Sequence, residues 1–326
     1  MSENACPLVT IAVPTYNRAD RYLRQAVESA LDQTYSNVEV IVSDNCSADN
    51  TEALIKGYSA PRLRYFRQVK NIGANNNFNF CVEQARGDYF LLLQDDDLID
   101  CDFAEVCMQA AGYNTDIGII RTGTRVIDSD GKVLKESPNR VGGLSTADFF
   151  IGWFRGKTSL YLCSTLFNTR RLKELGGFRS KHNLFQDDVA TAQLAARFGK
   201  VDVQEVKASF RKHGSQNTVL AKVRNWCEDS HYLLDVMCGL VPEAEAPLVR
   251  REGTLYFSKT NYNFARYIKP PIERWATYWV IYREFDYRYS PFYFFVYRKN
   301  LRRIRHLARK VKQVLAKPRM SGTEQA

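Results

Sequence analysis

The chain has 326 residues, enough for about two domains or for one large α/β domain with an appendage. With 45% hydrophobic and 25% charged residues, it is neither mostly disordered nor collagen-like. The net charge of +10 comes from the segment between Arg298 and Arg319, which holds ten Lys and Arg and no acidic residue. The other 36 basic residues balance the 36 acidic ones, so we expect no globally basic surface for nucleic acid.

The first hundred residues alternate between short apolar runs and segments with helical spacing. The runs predict strands at Leu8–Val13, Val38–Val42, Arg64–Phe66 and Tyr89–Leu93. The helical spacing predicts helices at Arg21–Leu31, from Ser47 or Asp49 to about Gly57, and at Asn75–Ala85. This alternation is typical of βαβ units and of a mostly parallel sheet with helices on both faces.

The pattern is more mixed further along the chain. Strands are predicted at Ile117–Ile120, Thr124–Ile127, Leu160–Phe167 and Val201–Phe210, and a helix at Gln186–Phe198. After Ser215 the chain reads as helices rich in Tyr, Phe and Arg. We therefore predict an α/β domain over 1–215 and a helical C-terminal region over 216–326.

Three polar clusters directly follow predicted parallel strands. They are Thr15–Arg18, Asp44-Asn45 and Asp95–Asp97. Ligands bind at the carboxyl ends of the strands in such sheets, so we expect these clusters to meet in one site. Asp44 is either an Asx turn or a ligand contact; Asp49 is the better helix cap and would leave Asp44 free.

Three adjacent carboxylates at Asp95, Asp96 and Asp97 repel one another, and a divalent cation relieves the repulsion. Hard oxygen ligands suit Mg²⁺ or Mn²⁺, which also take phosphate oxygens. The alternative is a solvated acidic loop ahead of the helix that begins near Asp102. The apolar strand before the triplet favours a metal–phosphate site.

These motifs together resemble family 2 glycosyltransferases of the GT-A fold. The matching segments are PTYNR after the first strand, SDNCSADNT after the second, KNIG near residue 70, and the aspartates after the fourth. The first helix, with QTY at 33–35, also resembles that family, and the likeness covers about residues 8–213. It implies a GT-A type Rossmann-like sheet and a nucleotide-sugar donor.

The resemblance also assigns roles to individual residues. It implies a nucleotide site walled by Pro14, Tyr16 and Asn17, with Asp44 on the base, Asn71 in the N-x-G segment and Asp95 near the ribose. It implies metal ligation by Asp96 and Asp97. Gln94 departs from the acidic residue that often leads the family motif, and Asn75–Asn77 stand where family members often carry Arg.

A second group of residues follows a Gly176-Gly177-Phe178 turn. By resemblance, Asp187 at the head of the following helix is the general base, with Asp188 as the fallback; an inverting transfer needs one carboxylate to accept the acceptor's proton. The alternative is that both aspartates favour the helix N-terminus through its dipole. By resemblance, Arg211 and His213 lie in a loop over the diphosphate, with His213 as a further metal ligand; otherwise His213 is an exposed loop histidine.

The C-terminal tail, at about 291–317, has apolar residues every three or four positions and a basic opposite face. Beside the aromatic run Pro291–Tyr297, this is the composition of an interfacial membrane anchor. The alternatives are a helix packed on the body and a contact in a homo-oligomer. The N-terminal segment has no signal-peptide pattern, and the eight cysteines form no C-x-x-C pair. We therefore expect a cytoplasmic protein, peripheral on the cytoplasmic face of the plasma membrane.

The resulting hypothesis is a metal-dependent inverting glycosyltransferase of surface polysaccharide synthesis. Its acceptor would be a hydroxyl of a glycan or of a lipid-linked glycan. Two alternatives remain: a synthase that transfers sugar to polyprenyl phosphate, and a non-catalytic partner that binds nucleotide or membrane. A nucleotidyltransferase would need a glycine-rich loop after the first strand, and Pro14–Arg18 contains no glycine.

Overall fold

The computed structural model describes residues 6–213 and 222–296. Its contacts divide the chain into two compact units, Met1–Tyr256 and Phe257–Ala326. The predicted boundary near 215 falls in 214–221, outside the described residues, and the first unit continues well past it. Most of the predicted tail, from 297 onward, also lies outside them.

Nine strands of the described residues form one sheet. They are β1 (Val9–Thr15), β2 (Val38–Asp44), β3 (Leu63–Arg67), β4 (Tyr89–Leu92), β5 (Leu98–Ile99), β6 (Ile119–Ile127), β7 (Val133–Ser137), β8 (Thr165–Asn168) and β9 (Lys200–Arg211). Their order is β3-β2-β1-β4-β8-β6-β9-β5, with β7 paired to β6. β1 to β4 are mutually parallel, and β6 pairs parallel with β9; β5, β7 and β8 run antiparallel to their neighbours.

Residues 6–213 and 222–284 form ten α-helices. They are α1 (Leu23–Leu31), α2 (Thr51–Lys56), α3 (Ala74–Gln84), α4 (Phe103–Ala110), α5 (Thr146–Phe154), α6 (Thr169–Glu174), α7 (Gln186–Phe198), α8 (Val223–Gly239), α9 (Ala246–Ala265) and α10 (Pro271–Glu284). A further helical segment lies at 291–296.

Helices cover both faces of the parallel half of the sheet. The side chains of β1 alternate between faces, and Val9, Ile11 and Val13 share one core with α1 and α4. On the other face, α3 lies against β2 through hydrogen bonds between Asn77 and Ser43. Every residue of β1 and β2 is buried, as expected for strands covered on both sides. The predicted fold class, a mostly parallel sheet with helices on both faces, is confirmed.

The strands differ from the predictions where the local pattern is short or interrupted. Residues 119–127 form the single strand β6, because Arg121 and Gly123 both stay paired with β9 although the register shifts between them. Within the predicted strand Leu160–Phe167, residues Leu162–Ser164 form a 3₁₀ turn, and β8 begins only at Thr165. β5 was not predicted, since a two-residue strand leaves no periodic pattern.

No helix of residues 6–213 or 222–296 combines the length and the apolar character needed to cross a bilayer. Helices do occupy the chain beyond 222, as predicted for the C-terminal region.

Candidate active site

Strands β1, β2 and β4 end side by side, and their polar clusters meet at this edge. Thr15 of β1 is in register with Asp44 of β2. The Thr15 hydroxyl also donates a hydrogen bond of 2.7 Å to Oδ2 of Asp95, beyond the end of β4. The structure thus brings the three predicted clusters together.

The turn after β1 is braced against the turn after β2. Asn17 has a φ of +54°, in the left-handed region that asparagine tolerates. Its N–H donates to the Ser47 hydroxyl at 2.9 Å, and its Oδ1 accepts the N–H of Ala48 at 2.8 Å. Pro14 is buried within β1, whereas the Tyr16 side chain is 45% exposed. Asn17 therefore shapes the loop, and Tyr16 offers an open ring beside it.

Asp44 is placed differently from the prediction. It is 0% exposed. Its Oδ1 accepts the N–H of Ser47 at 2.8 Å, the Asx-turn alternative, and its Oδ2 accepts the Tyr65 hydroxyl at 2.7 Å. The side chain is thus committed to protein donors, and the premise that Asp49 leaves it free was wrong. Asp49 does hold the start of α2 through Thr51, but the two aspartates act together.

The asparagines of this region brace loops. Oδ1 of Asn71 accepts Nδ2 of Asn45 at 2.9 Å and the N–H of Gly73 at 2.8 Å. In α3, Asn77 is paired with Ser43 of β2. Asn77, one of the three asparagines at the positions where family members often carry Arg, thus packs α3 against β2. The predicted contact of Asn71 with nucleotide stays a prediction.

The three aspartates after β4 point to three different partners. Asp95 accepts from Thr15, Asp96 contacts His213, and Asp97 turns inward. Burial raises the pKa of Asp95 to about 7, and the charge of Asp96 adds to this, against the Thr15 hydrogen bond and the charge of Arg18. Two crowded carboxylates, Asp95 and Asp96, thus lie partly exposed at the carboxyl edge of the sheet, which we call the open edge.

Asp97 is 1% exposed and does not share that edge. Its Oδ1 accepts the N–H of Arg211 at 2.8 Å. Burial and the charge of Asp96 raise its pKa well above the usual range, against hydrogen bonds from Arg211 and the Cys163 thiol. This placement argues against the predicted metal ligation by Asp97 and gives it a structural role.

Arg211 also departs from the prediction that it contacts the diphosphate. Its side chain is buried and stacks over the Tyr22 ring, 4.3 Å from the ring centroid. Nε donates to the Asp96 carbonyl at 2.9 Å, and Nη2 donates to Oε1 of Gln25 at 2.8 Å. Nη1 faces the carbonyls of Asp128 and Ser129. Arg211 thus fastens the end of β9 to the aspartate loop and to α1.

His213 lies two residues after Arg211. It is not the exposed loop histidine of the alternative prediction. Its side chain is largely buried, and Nε2 lies 2.7 Å from Oδ2 of Asp96. Its ring also packs against Tyr22, with centroids 5.4 Å apart. The ends of β4 and β9 therefore contribute one carboxylate and one imidazole to the same point.

A second carboxylate pair lies at the start of α7, after the Gly176-Gly177-Phe178 turn. Burial raises the pKa of Asp187 to about 6. Burial and the charge of Asp187 raise the pKa of Asp188 well above its usual range, against the attraction of Arg121. Both carboxylates of the pair therefore hold a proton more strongly than an ordinary aspartate does. Arg121, which the sequence analysis missed, is itself fully buried on β6.

Tyr161 interacts electrostatically with both groups of carboxylates, and no sequence pattern marked it. Burial, followed by the charges of Cys163, Asp97 and Asp188, raises its pKa to about 12. Its ring stacks on Phe210 of β9 with centroids 4.3 Å apart. One side chain thus lies within electrostatic reach of both the aspartate loop and the head of α7.

The loop ahead of α7 is held from a distant part of the chain. Asp229 of α8 is fully buried, and its carboxylate accepts the Ser180 hydroxyl at 2.7 Å and the N–H groups of His182 and Leu184 at 2.8 and 2.9 Å. The sequence does contain a sign of this role, because Asp229 lies on the apolar stripe of α8 together with Trp226 and Leu233. A carboxylate on such a stripe needs buried donors.

The open edge fits a divalent cation by its chemistry. Within the described ranges, no group of three or more His, Cys, Asp and Glu side chains has the arrangement of a complete metal site. Mg²⁺, however, is usually held by one or two carboxylates together with substrate phosphates and water. Asp96, with its neighbour Asp95 and with His213, supplies such a partial set.

A family model gives this arrangement its context. The model of Glycosyl transferase family 2 matches residues 10–173, just over half of the chain. The chain belongs to glycosyl transferase family 2. The predicted family and its class of enzyme are thereby confirmed.

Individual proteins resemble this family 2 chain in sequence and in fold. The chondroitin synthase of Escherichia coli is 34% identical over 135 residues, which cover 41% of the chain and 19% of that protein. TarS 1-349 of S. aureus, in complex with UDP-GlcNAc, superposes with a TM-score of 0.63 at 17% identity, over 85% of the chain and 81% of that structure. The mannosyltransferase PcManGT of Pyrobaculum calidifontis, in complex with GDP-Man and Mn²⁺, gives 0.51 at 16% identity, over 85% and 75%. The predicted GT-A fold is confirmed, and the chain spans about a fifth of the curated synthase.

Proposed function

We propose that this chain transfers a sugar from a nucleotide-sugar donor to an acceptor hydroxyl, with inversion and with a divalent cation. The observation that carries the proposal is the 2.7 Å contact of Asp96 with His213. It brings together two candidate metal ligands at the carboxyl edge of the parallel strands, the edge where nucleotides bind in such sheets.

The donor lies along this edge in the proposal. Tyr16 stacks on the base, and Asp95, oriented by Thr15, accepts a hydrogen bond from the ribose. Asp44 supports the loop after β2 instead of touching the base. The UDP-GlcNAc in TarS and the GDP-Man in PcManGT support a nucleotide-sugar donor.

Asp96 and His213 hold Mg²⁺ or Mn²⁺ in the proposal, as the Mn²⁺ of PcManGT supports. When bound, the ion supplies positive charge that stabilises the departing nucleoside diphosphate. Arg211 keeps both ligands in place, because it donates a hydrogen bond to the Asp96 carbonyl and precedes His213 by two residues.

Asp187 acts as the general base. Ionised above pH about 6, it accepts the proton of the acceptor hydroxyl. The hydroxyl oxygen forms its bond to the anomeric carbon as the bond to the diphosphate oxygen breaks on the opposite face. Beside it, burial and the charge of Asp187 raise the pKa of Asp188, so a single negative charge is favoured on the pair.

The acceptor is a glycan or a lipid-linked glycan in the proposal. The likeness to a chondroitin synthase supports a glycan acceptor and a role in polysaccharide synthesis. The alternative acceptor, polyprenyl phosphate, already carries an anion and needs no base.

The test is a screen of nucleotide sugars with Mg²⁺ and Mn²⁺, read as released nucleoside diphosphate and as glycosylated acceptor. Asp96→Asn should abolish turnover, while Asp116→Asn, a matched change in a surface ion pair, should not. Turnover that persists in Asp187→Asn would favour polyprenyl phosphate. Nucleotide binding without any turnover would favour the non-catalytic alternative.

A further inference from the structure

The second compact unit presents an apolar stripe to its surroundings. On α10, Ile272, Trp275, Ala276 and Trp279 follow the spacing i, i+3, i+4, i+7, which places them on one face of the helix. All four are exposed, Ile272 by 86% and Trp279 by 56%. We call this face the aromatic stripe.

The stripe continues onto the helical segment at 291–296. The Trp275 ring lies 6.1 Å from that of Phe292 and 5.9 Å from that of Phe295, between ring centroids. Phe292, Phe295 and Val296 are exposed as well. The two segments thus form one continuous apolar surface within the second unit.

The other side of α10 is already packed. Tyr278 and Ile281 are buried, and the Tyr278 ring packs edge-on against Tyr262 with centroids 5.5 Å apart. The aromatic stripe is therefore the outward side of a docked helix. Exposed apolar surface of this extent marks an interaction site.

Charge identifies the partner. The stripe itself contains no acidic residue, and Arg283 lies one turn beyond Trp279 on the same face. Two residues after the stripe ends at Val296, the chain enters the segment 298–319, with its ten basic and no acidic residues. An anionic bilayer complements both features, because Trp and Tyr favour the headgroup level and Lys and Arg the anionic surface.

We propose that the aromatic stripe binds the surface of membranes that contain anionic lipid. The protein then lies on the bilayer without spanning it. This inference is independent of the proposed transfer reaction.

Tryptophan fluorescence tests the proposal with the full-length chain. Of its four tryptophans, Trp153 and Trp226 are buried at 7% and 4% exposure, whereas Trp275 and Trp279 are 40% and 56% exposed. With vesicles of phosphatidylcholine and phosphatidylglycerol, we expect a blue shift and quenching by brominated acyl chains. Pure phosphatidylcholine should give less of both, and high salt should weaken them.

The matched variants are Trp275→Ser with Trp279→Ser, and, as a control, Tyr232→Ser at an exposed aromatic of α8. In flotation, the double variant should bind anionic vesicles about tenfold or more weakly, because interfacial binding scales with buried apolar area. The control should bind like the parent chain. If the double variant fails to fold by circular dichroism, Ile272→Ser serves in its place, with a smaller loss expected.

Three results would overturn the proposal. One is a parent chain that ignores anionic vesicles at low salt. Another is a folded double variant that binds them as well as the parent chain does. The third is a dimer, seen by analytical ultracentrifugation, that the double variant alone dissociates while neither protein binds lipid, since this would assign the stripe to a second copy.

Discussion

Asp187 lies at the head of α7, where burial raises its pKa to about 6. In the proposed mechanism only its ionised form accepts a proton, so kcat/KM should fall about tenfold for each pH unit below that value. The measurement is a pH profile of transfer to a hydroxyl acceptor at fixed metal and donor. The control variant Asp116→Asn should show the same fall in kcat/KM at low pH as the parent chain. A profile that stays flat well below this pKa would contradict the role of Asp187 as general base.

Asp44→Ala is expected to affect folding more than donor binding. The substitution leaves the Ser47 N–H and the Tyr65 hydroxyl without their acceptor in a buried place. The free energy of unfolding should fall by about 1–3 kcal/mol. Urea titration measures this change, and nucleotide titration of the same protein should give the parent affinity. Weaker nucleotide binding at unchanged stability would instead support the predicted hydrogen bond between Asp44 and the nucleotide base.

Residue identity could be predicted from the sequence more readily than side-chain direction. The aspartate triplet was expected at the carboxyl edge of the sheet, and Asp95 and Asp96 lie there. What the sequence does not show is that Asp97 turns inward to the Arg211 N–H, or that Arg211 stacks on Tyr22. Both placements depend on β9 arriving beside the aspartate loop, a contact between residues more than a hundred positions apart.

The loop before α7 depends on α8 for its shape. Asp229→Asn should weaken the hydrogen bonds to Ser180, His182 and Leu184 and so displace the proposed base. We expect kcat to fall by about tenfold to a hundredfold, because small misplacements of a catalytic group are costly. The KM for the donor should stay unchanged.

The control for this experiment is Asp235→Asn, on the same helix but exposed and paired with Arg250. Steady-state kinetics of both variants, with circular dichroism, separate positioning from folding. Equal losses in kcat for the two variants, or a rise in donor KM alone, would contradict the role of Asp229.

Gly177 is required by the turn that leads to this loop. Its φ is +82°, and a Cβ there would lie 2.2 Å from Oδ1 of Asn79, which holds the Phe178 N–H. Gly177→Ala should therefore lose more stability than Gly143→Ala, whose φ is +70° but whose surroundings are open. Backbone strain of about 1 kcal/mol or more is common to both, and the difference measures the overlap with Asn79. Thermal unfolding of the two variants gives this difference, and equal losses would show that α3 gives way.

Elements with a strong period were predictable, and elements set by pairing were not. α7 has the predicted bounds, and α1 and α3 lie within a residue or two of theirs, because an apolar stripe at helical spacing is a local property. β5 and the late start of β8 depend instead on their neighbours β9 and β4. The Asp229 anchor is hidden for the same reason, since its partners lie more than forty residues earlier.

Ligand binding should stabilise the first unit as a whole. Asp95 and Asp96 crowd one another at the open edge, and a cation with a nucleoside diphosphate would relieve their repulsion. Mn²⁺ with UDP should raise the melting temperature, with about 2.7 kcal/mol of added stability at a hundred times the dissociation constant. EDTA should reverse the rise.

Differential scanning fluorimetry measures this effect, and Asp96→Asn should show little of it, whereas Asp116→Asn should respond like the parent chain. Equal stabilisation of Asp96→Asn by Mn²⁺ with UDP would place the metal elsewhere. At this scale the sequence predicted the fold class. The buried contacts that join α8 to the first unit leave no linker signal in the sequence.

The strands before α4 meet those after it at two places, β4 with β8 and β5 with β9, and each place has two residue pairs in register. In the proposed mechanism, most residues that contact the donor come before α4 in the chain, and the general base, Asp187, comes after it. Exchange by recombination would thus break few strand pairs, and it would require the new half to supply a residue that replaces Arg211 at Asp96 and Gln25. A chimaera joined after α4, with its later half from another family member, should keep its nucleotide preference and take on a new acceptor. Different glycan linkages would then arise when existing donor-binding and acceptor-binding halves are recombined, with few changes inside either half.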